Sequence, residues 1–525
     1  LSIFNKFRKN PNIETKISSE NYIYEKLKRI QVFNNVDNNA KVIETVFDNN
    51  SGIIQRKLSL SKQNIPILIV YVDGMIDKQL VTENIIKPIL AFKDSDIENS
   101  DISINYVKEK VITSNEIKEG FTFDVLVYEI LCGNTIVFFD GCSTSFIISN
   151  NDMKGRNIEK PDTEQSVRGG KQAFVESLNT NIVLLRKMIK TPDLNIEILN
   201  IGKRTKTSVA IVYLKGVINK DLPQAIRNKI NEIDIDGIVA SNQIQALIQK
   251  HKWTVFPQMA ATERVDRITS AILEGRAAIL VDQTPYVLIV PTTFNLFLST
   301  PDDYYEKSII TSLLRIIRYL GFFEACSISA LYIALTTYHP GLLPTSLALS
   351  ITGTRVSMPF TVTLEILIME TALYLIQEAA IRLPKAVGQT VGIVGALVIG
   401  QSVVQAGIVS PIIVVIVALS AISSYTLPNY TFSLSTIAIR LFLIICATFL
   451  GLFGFVIGAF AVLVHAASLE NFGIKYLSDY SPYNKETLKD TFIIAPLHIV
   501  HKRPEYLETE DTVRAKNDKR DDLNE

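Results

Sequence analysis

Between Ile309 and Ala467 the chain carries only ten charged residues and no aspartate, whereas the flanking segments hold all the others. A helix needs about 20 apolar residues to cross a bilayer's hydrocarbon. Four stretches are read as crossings: residues 319–338, 387–407, 410–428 and 440–467, the last being the longest. Arg315 and Arg318 precede the first, where their stems can snorkel and their charge marks the cytoplasmic end. Gly388 with Gly392, and Gly454 with Gly458, repeat at four-residue spacing, which lets helix backbones approach and is read as packing.

One segment breaks the pattern. Residues 361–382 lie inside the apolar block yet carry Glu365, Glu370, Gln377, Glu378 and Arg382. Wound at 100° per residue, Glu370, Tyr374, Gln377, Glu378 and Arg382 fall within an arc of about 140°, opposite an apolar arc. Glu365 sits near the helix start, where negative charge is favourable, and Glu378 and Arg382 are one turn apart and can pair. A charge at the bilayer centre costs about 2.5–3.5 kcal/mol. The polar face must therefore meet water, protein or headgroups, either with the helix lying at the interface or re-entrant, or with that face around an aqueous path. If this helix does not cross, there are four spans and both polar ends are cytoplasmic; if it does, there are five and the tail lies outside. Four is the expectation.

The polar half alternates short β-branched runs with helical patterns, which implies small α/β domains. "IVYVDGMIDKQL" from Ile69 and "IVYLKGVINKDL" from Ile211 agree at seven of twelve positions, offset by 142. The same offset relates "ILCGNTIVFFDG" from Ile130 to "ILEGRAAILVDQ" from Ile272, so the domain is duplicated in tandem. Each copy reads as strand, turn, helix, a second helix closed by Gly133 or Gly275, and a hairpin. The expected organisation is a polar extension (1–60), α/β copies at 61–150 and 203–300 around a linker with a helix (151–202), a multi-span helical membrane domain (305–467) and a polar tail (468–525).

Net charge is zero, so no bulk electrostatic argument favours nucleic acid. Four cysteines lie far apart with no disulfide or metal spacing. The carboxylates of "IDIDG" (233–237) suit a turn, "VRGGK" (167–171) lacks the phosphate-loop spacing, and His251 beside Trp253 has no catalytic partner. No enzyme, cofactor or metal is expected. The opening "LSIFNKFRKNPN" holds no apolar run of signal-peptide length, so export of the polar half is not expected and a cytoplasmic placement is the expectation.

Several long motifs, among them "VFPQMAATERVDRITSAILEGRAAILVD", "PDDYYEKSIITSLLRIIRYL", "LPKAVGQTVGIVGALVIGQSVVQAGIVSP" and "ISSYTLPNY", resemble the A subunit of GerA-type spore germinant receptors from about Ile65 to Pro504. The resemblance implies a multi-pass protein of the spore inner membrane, acting with a transporter-like B subunit and a lipoprotein C subunit. It also implies a homo-oligomer that forms a nutrient-gated ion channel. With helical geometry it makes Glu365, Glu370, Tyr374, Gln377, Glu378 and Arg382 the candidate pore or gate. Family members often carry an acidic residue where Tyr374 stands, an arginine where Gln377 stands, and "RGP" in place of Arg168-Gly169-Gly170. A non-conducting scaffold that organises the partner subunits is the alternative. A secondary transporter ranks last, since the only repeat found lies in the soluble half.

Overall fold

The computed structural model describes residues 26–48, 52–60, 65–91, 112–114, 116–150, 161, 164, 166, 168–356, 358–384, 400–482, 488–496 and 499–515. Gly388, Gly392 and most of the expected span 387–407 lie outside them. The chain forms two compact units, one of residues 1–249, 261–291 and 498–525, the other of 250–260 and 292–497.

The first unit holds two five-stranded sheets of the same topology. Strands β1 (Ile53–Leu60), β2 (Ile65–Val72), β3 (Ile117–Gly120), β4 (Thr135–Phe139) and β5 (Ser145–Ile148) are ordered β1-β2-β4-β5-β3, all neighbours antiparallel. β2 is apolar throughout because both faces of its sheet are covered. Leu68, Val70 and Val72 pack under α1 (Val36–Phe47) and α3 (Phe123–Leu131). Ile67, Ile69 and Tyr71 pack under α2, a helical run of Lys78–Val81, a π turn Thr82–Ile86 and Lys87–Ala91.

The second sheet, β6 (Leu194–Ile201), β7 (Thr207–Leu214), β8 (Ala260–Thr262), β9 (Ala277–Val281) and β10 (Val287–Val290), has the order β6-β7-β9-β10-β8. Its helices are α4 (Leu178–Met188), α5 (Asp221–Asn231), α6 (Ser241–Ile248) and α7 (Val265–Glu274). Gly275, at φ +100°, ends α7 in the left-handed region that a side chain avoids.

The duplication reaches further toward the N-terminus than the two sequence blocks show. Asn39 is fully buried and bonds both backbone groups of Phe33, at 2.8 and 2.9 Å. At the same offset of 142, Asn181 bonds both groups of Val175, at 2.6 and 2.8 Å. Asp140 accepts from the Val36 amide at 3.0 Å, and Asp282 from the Leu178 amide at 3.1 Å. The first domain therefore takes in α1 and β1 from the expected extension (1–60). The second takes in α4 and β6 from the expected linker (151–202). Their polar outer faces hide them in the sequence, since β1 is an edge strand and α1 is amphipathic.

The second unit contains α8 (Phe294–Leu298), α9 (Ser308–Ile333, continued by a π turn Ala334–Tyr338), α10 (Thr345–Arg355), α11 (Val362–Arg382), α12 (Pro411–Tyr425) and α13 (Tyr430–Ser468). By length and composition, Ser308–Tyr338 and Tyr430–Ser468 are long and apolar enough to cross a membrane. The expected span 410–428 forms a helix of only 15 residues, short of the ~20 that a crossing needs.

The expected last span, 440–467, is not one helix. Gly451 has φ +60° and ψ −138°, a conformation essentially reserved for glycine, and interrupts α13. A straight helix of 39 residues would be about 58 Å long. Yet the rings of Phe432, near its start, and Tyr476, just beyond its end, lie 5.4 and 6.0 Å from that of Phe294. Residues 430–450 and 452–468 are the two limbs of a hairpin. Gly454 faces the Cys446 carbonyl so closely that any Cβ would collide, and a Cβ at Gly458 would stand 3.1 Å from Cys446 Sγ. A glycine turn inside a uniformly apolar run leaves no break in hydropathy, which is why the run reads as one span.

Candidate functional site

α11 runs from Val362 to Arg382 without a glycine or proline and stops at Leu383, which is extended as the residue before Pro384 favours. Its polar stripe divides along its length. Glu365 and Glu370 are buried, Tyr374 and Gln377 are half-buried, and Glu378 and Arg382 are exposed.

Glu370 lies at the centre of the buried part. Arg440, on the first limb of α13, approaches Glu370 Oε1 at 3.2 Å, with both side chains 2 % exposed. Ser329 Oγ from α9 donates to the same oxygen at 3.2 Å, and Ser420 Oγ from α12 lies 3.4 Å away. Arg440 also donates to Ser420 Oγ and to the Tyr374 hydroxyl, and its guanidinium carbon stands 5.7 Å from the Tyr374 ring centroid. Four helices thus supply one charge-neutral cluster. Attraction within a low-dielectric interior offsets the desolvation of both ions only because such extra hydrogen bonds are present.

Glu365 is held separately, one turn and a half toward the helix start. Its Oε2 accepts from the Ser410 amide at 2.9 Å, and Arg355 Nη2 stands 3.9 Å from its Oε1. At the other end, Arg382 donates to Glu378 at 2.5 and 3.1 Å as an i,i+4 pair, with side chains 77 and 62 % exposed. The structure thus brings Glu370 and Tyr374 together, and leaves Glu365, Gln377 and the Glu378–Arg382 pair elsewhere on the helix. Arg440, Ser329, Ser420 and Arg355 were missed in the sequence. Arg440 had a usable signal: an ionisable residue inside an apolar run marks a polar partner on another helix.

A second ionic cluster sits at the start of α9. Arg315 does not snorkel; it is fully buried, because the acceptors lie within the protein. It meets Asp303 at 3.1 Å, the Asp490 carboxylate at 2.9 Å and the Asp490 carbonyl at 2.7 Å. Arg318 meets Asp303 at 2.8 Å. Burial pushes the Asp303 carboxyl up, but the Arg318 hydrogen bond and the charges of Arg318 and Arg315 outweigh it and hold the group below the ordinary carboxylate range. Residues 490–491 of the tail are thereby tied to the end of α9 where it begins.

In the first unit Asp234 pairs with Lys203 at 2.5 Å and Asp236 with Arg204 at 3.7 Å, all well exposed. Among the described residues, no group of three or more His, Cys, Asp and Glu side chains is placed to hold a metal.

The family described as "Bacillus/Clostridium GerA spore germination protein" matches residues 41–506. Similar curated proteins include spore germination protein KA of Bacillus subtilis, 38 % identical over 90 % of this chain and 86 % of that protein. Spore germination protein GerLA of Bacillus cereus is 34 % identical over 88 % of this chain and 94 % of its own length. The crystal structure of the N-terminal domain of the A subunit of the Bacillus megaterium spore germinant receptor GerK3 covers 50 % of this chain and 98 % of that chain, at 30 % identity and a TM-score of 0.41.

Proposed function

The chain belongs to the GerA spore germination protein family, and from that premise we propose that it is the A subunit of a nutrient receptor in the spore inner membrane. It is a membrane-associated protein of a family of germinant-receptor subunits rather than of enzymes. In this reading its sheets face the cytoplasm, a transporter-like B subunit and a lipoprotein C subunit are its partners, and copies of the chain assemble into a multi-span ring. α11 then lines or gates an ion path. Gln377, Glu378 and Arg382 face that path, while Glu365, Glu370 and Tyr374 anchor the helix.

The observation that carries this reading is the exposed Glu378–Arg382 pair at the end of α11. Lipid tails would reject both charges, which leaves water, protein or headgroups, and in this reading assembly offers them water. A signal from the partners would shift a closed–open equilibrium by binding one state more tightly. The test is ion flux through the reconstituted receptor. Glu378→Ala is expected to change conductance or selectivity, and Glu370→Gln to change gating; flux and gating unaltered in both would remove α11 from the mechanism.

A second reading, a non-conducting scaffold for the partner subunits, is favoured by the pairing of Glu370 with Arg440 inside one chain. It predicts that the complete reconstituted receptor passes no ions with nutrient present.

A further inference from the structure

Trp253, the only tryptophan in the chain, is 99 % exposed. Single exposed apolar residues are ordinary, but this one is carried on a loop fixed to the end of an apolar helix. Thr254 Oγ1 lies 2.8 Å from His465 Nε2, and the rings of Phe256 and His465 are 6.1 Å apart. Lys250 pairs with Glu470 at 3.1 Å. The loop and the returning limb 452–468 belong to the same compact unit.

That attachment sets the depth of the loop in a bilayer. The returning limb has 17 residues, about 25 Å of helix, which approaches the ~30 Å of hydrocarbon. Phe460, Leu463 and Val464 are exposed within two turns of His465, so the limb presents an apolar surface up to the point where the loop begins. Beyond that point the exposed residues change character: Lys250 and Lys252 precede Trp253 and are exposed, as is Val255 two residues after it. An apolar helix surface that ends in an indole with a lysine next to it matches the order of chemistry across a bilayer interface. Indoles settle at the headgroup level, and lysines at a cytoplasmic surface meet anionic lipid.

We propose that residues 250–255 are an interfacial anchor, with the Trp253 indole at the boundary of headgroups and acyl chains and with Lys252 against anionic headgroups. The assignment rests on the membrane placement of the helices. Its consequence is that the loop between α6 and β8 is held at the bilayer surface.

Because Trp253 is unique, the emission of the full chain reports on this site alone when it is excited selectively over tyrosine. The chain is reconstituted into phosphatidylcholine vesicles with and without phosphatidylglycerol, and retention against carbonate extraction is measured in the same samples. Support consists of retained protein with blue-shifted emission and weak acrylamide quenching. Lipids brominated near the carbonyl end of the acyl chain should quench more than those brominated near the terminal methyl. Retained protein with red-shifted, acrylamide-accessible emission overturns the anchor while leaving the membrane placement standing. Emission shielded from both quenchers overturns it in favour of a second copy of the chain covering Trp253. Extraction of the protein by carbonate overturns both readings. Phosphatidylglycerol should deepen the lipid quenching and Lys252→Glu should abolish that gain; no response to phosphatidylglycerol overturns the role given to Lys252.

Discussion

Arg440 Nη1 stands 3.2 Å from Glu370 Oε1, and this contact joins the first limb of α13 to α11 across seventy residues of sequence. Both ions are removed from solvent, so each depends on the other. Glu370→Ala alone leaves a buried guanidinium uncompensated and should destabilise the chain by about 3–5 kcal/mol, whereas Glu370→Ala with Arg440→Met should recover most of that loss. Unfolding of the four variants in detergent completes the double-mutant cycle. A double variant as unstable as the sum of the two singles would mean that the pair is not coupled.

The hairpin can be trapped chemically. Gly458→Cys places a thiol against the native Cys446, since the Cβ at this position would stand 3.1 Å from Cys446 Sγ. In a continuous helix the two residues would be about 18 Å apart, beyond the reach of a disulfide. Mild oxidation of the membrane-embedded variant should form an intramolecular bond, detected by peptide mass after digestion. Its absence, with both thiols reactive, would argue for an unbroken helix.

Asp303 provides a pH signature. Its carboxyl is held below the ordinary range in the folded chain, so the unfolded chain binds the proton more readily. The resulting stability is fully present above the unfolded value of about 3.9 and is lost as pH falls through the lower folded value. Thermal unfolding of the full chain should therefore show a steep acid limb. Asp303→Asn should be less stable at neutral pH and show a shallower limb.

Equivalent residues of the two sheets should behave alike. Asn39→Ala and Asn181→Ala each leave one part-buried backbone N–H and one C=O without the side chain that satisfies them, at about 1 kcal/mol per group. Hydrogen exchange should show faster exchange of the Phe33 amide in the first variant and the Val175 amide in the second. Protection unchanged in one of the two would mean that the copies have diverged in what closes their N-terminal helix.

The duplication, the helix at 361–382 and the apolar character of the block were all legible because they are local or repetitive. An offset of 142 recurs wherever two copies keep the same core, and a 3.6-residue period shows on a single helix whatever packs on it. Much of the site was legible only as a stripe. Glu370, Tyr374 and Glu378 share a helical face, but nothing in their spacing says that Glu370 meets Arg440 while Glu378 stays outside.

The sequence by itself determined that a duplicated α/β region precedes an apolar helical block, and that one helix of this block bears charge that hydrocarbon would reject. Tertiary structure alone decided which of those charges are neutralised within the chain, that Arg315 holds residues 490–491 instead of reaching for the interface, and that Gly451 folds the last helix back on itself. The physical reason is that periodicity reports which face of an element is polar. The partner of that face depends on chain reversals and helix contacts between residues far apart in sequence, and those are settled only when the whole unit packs.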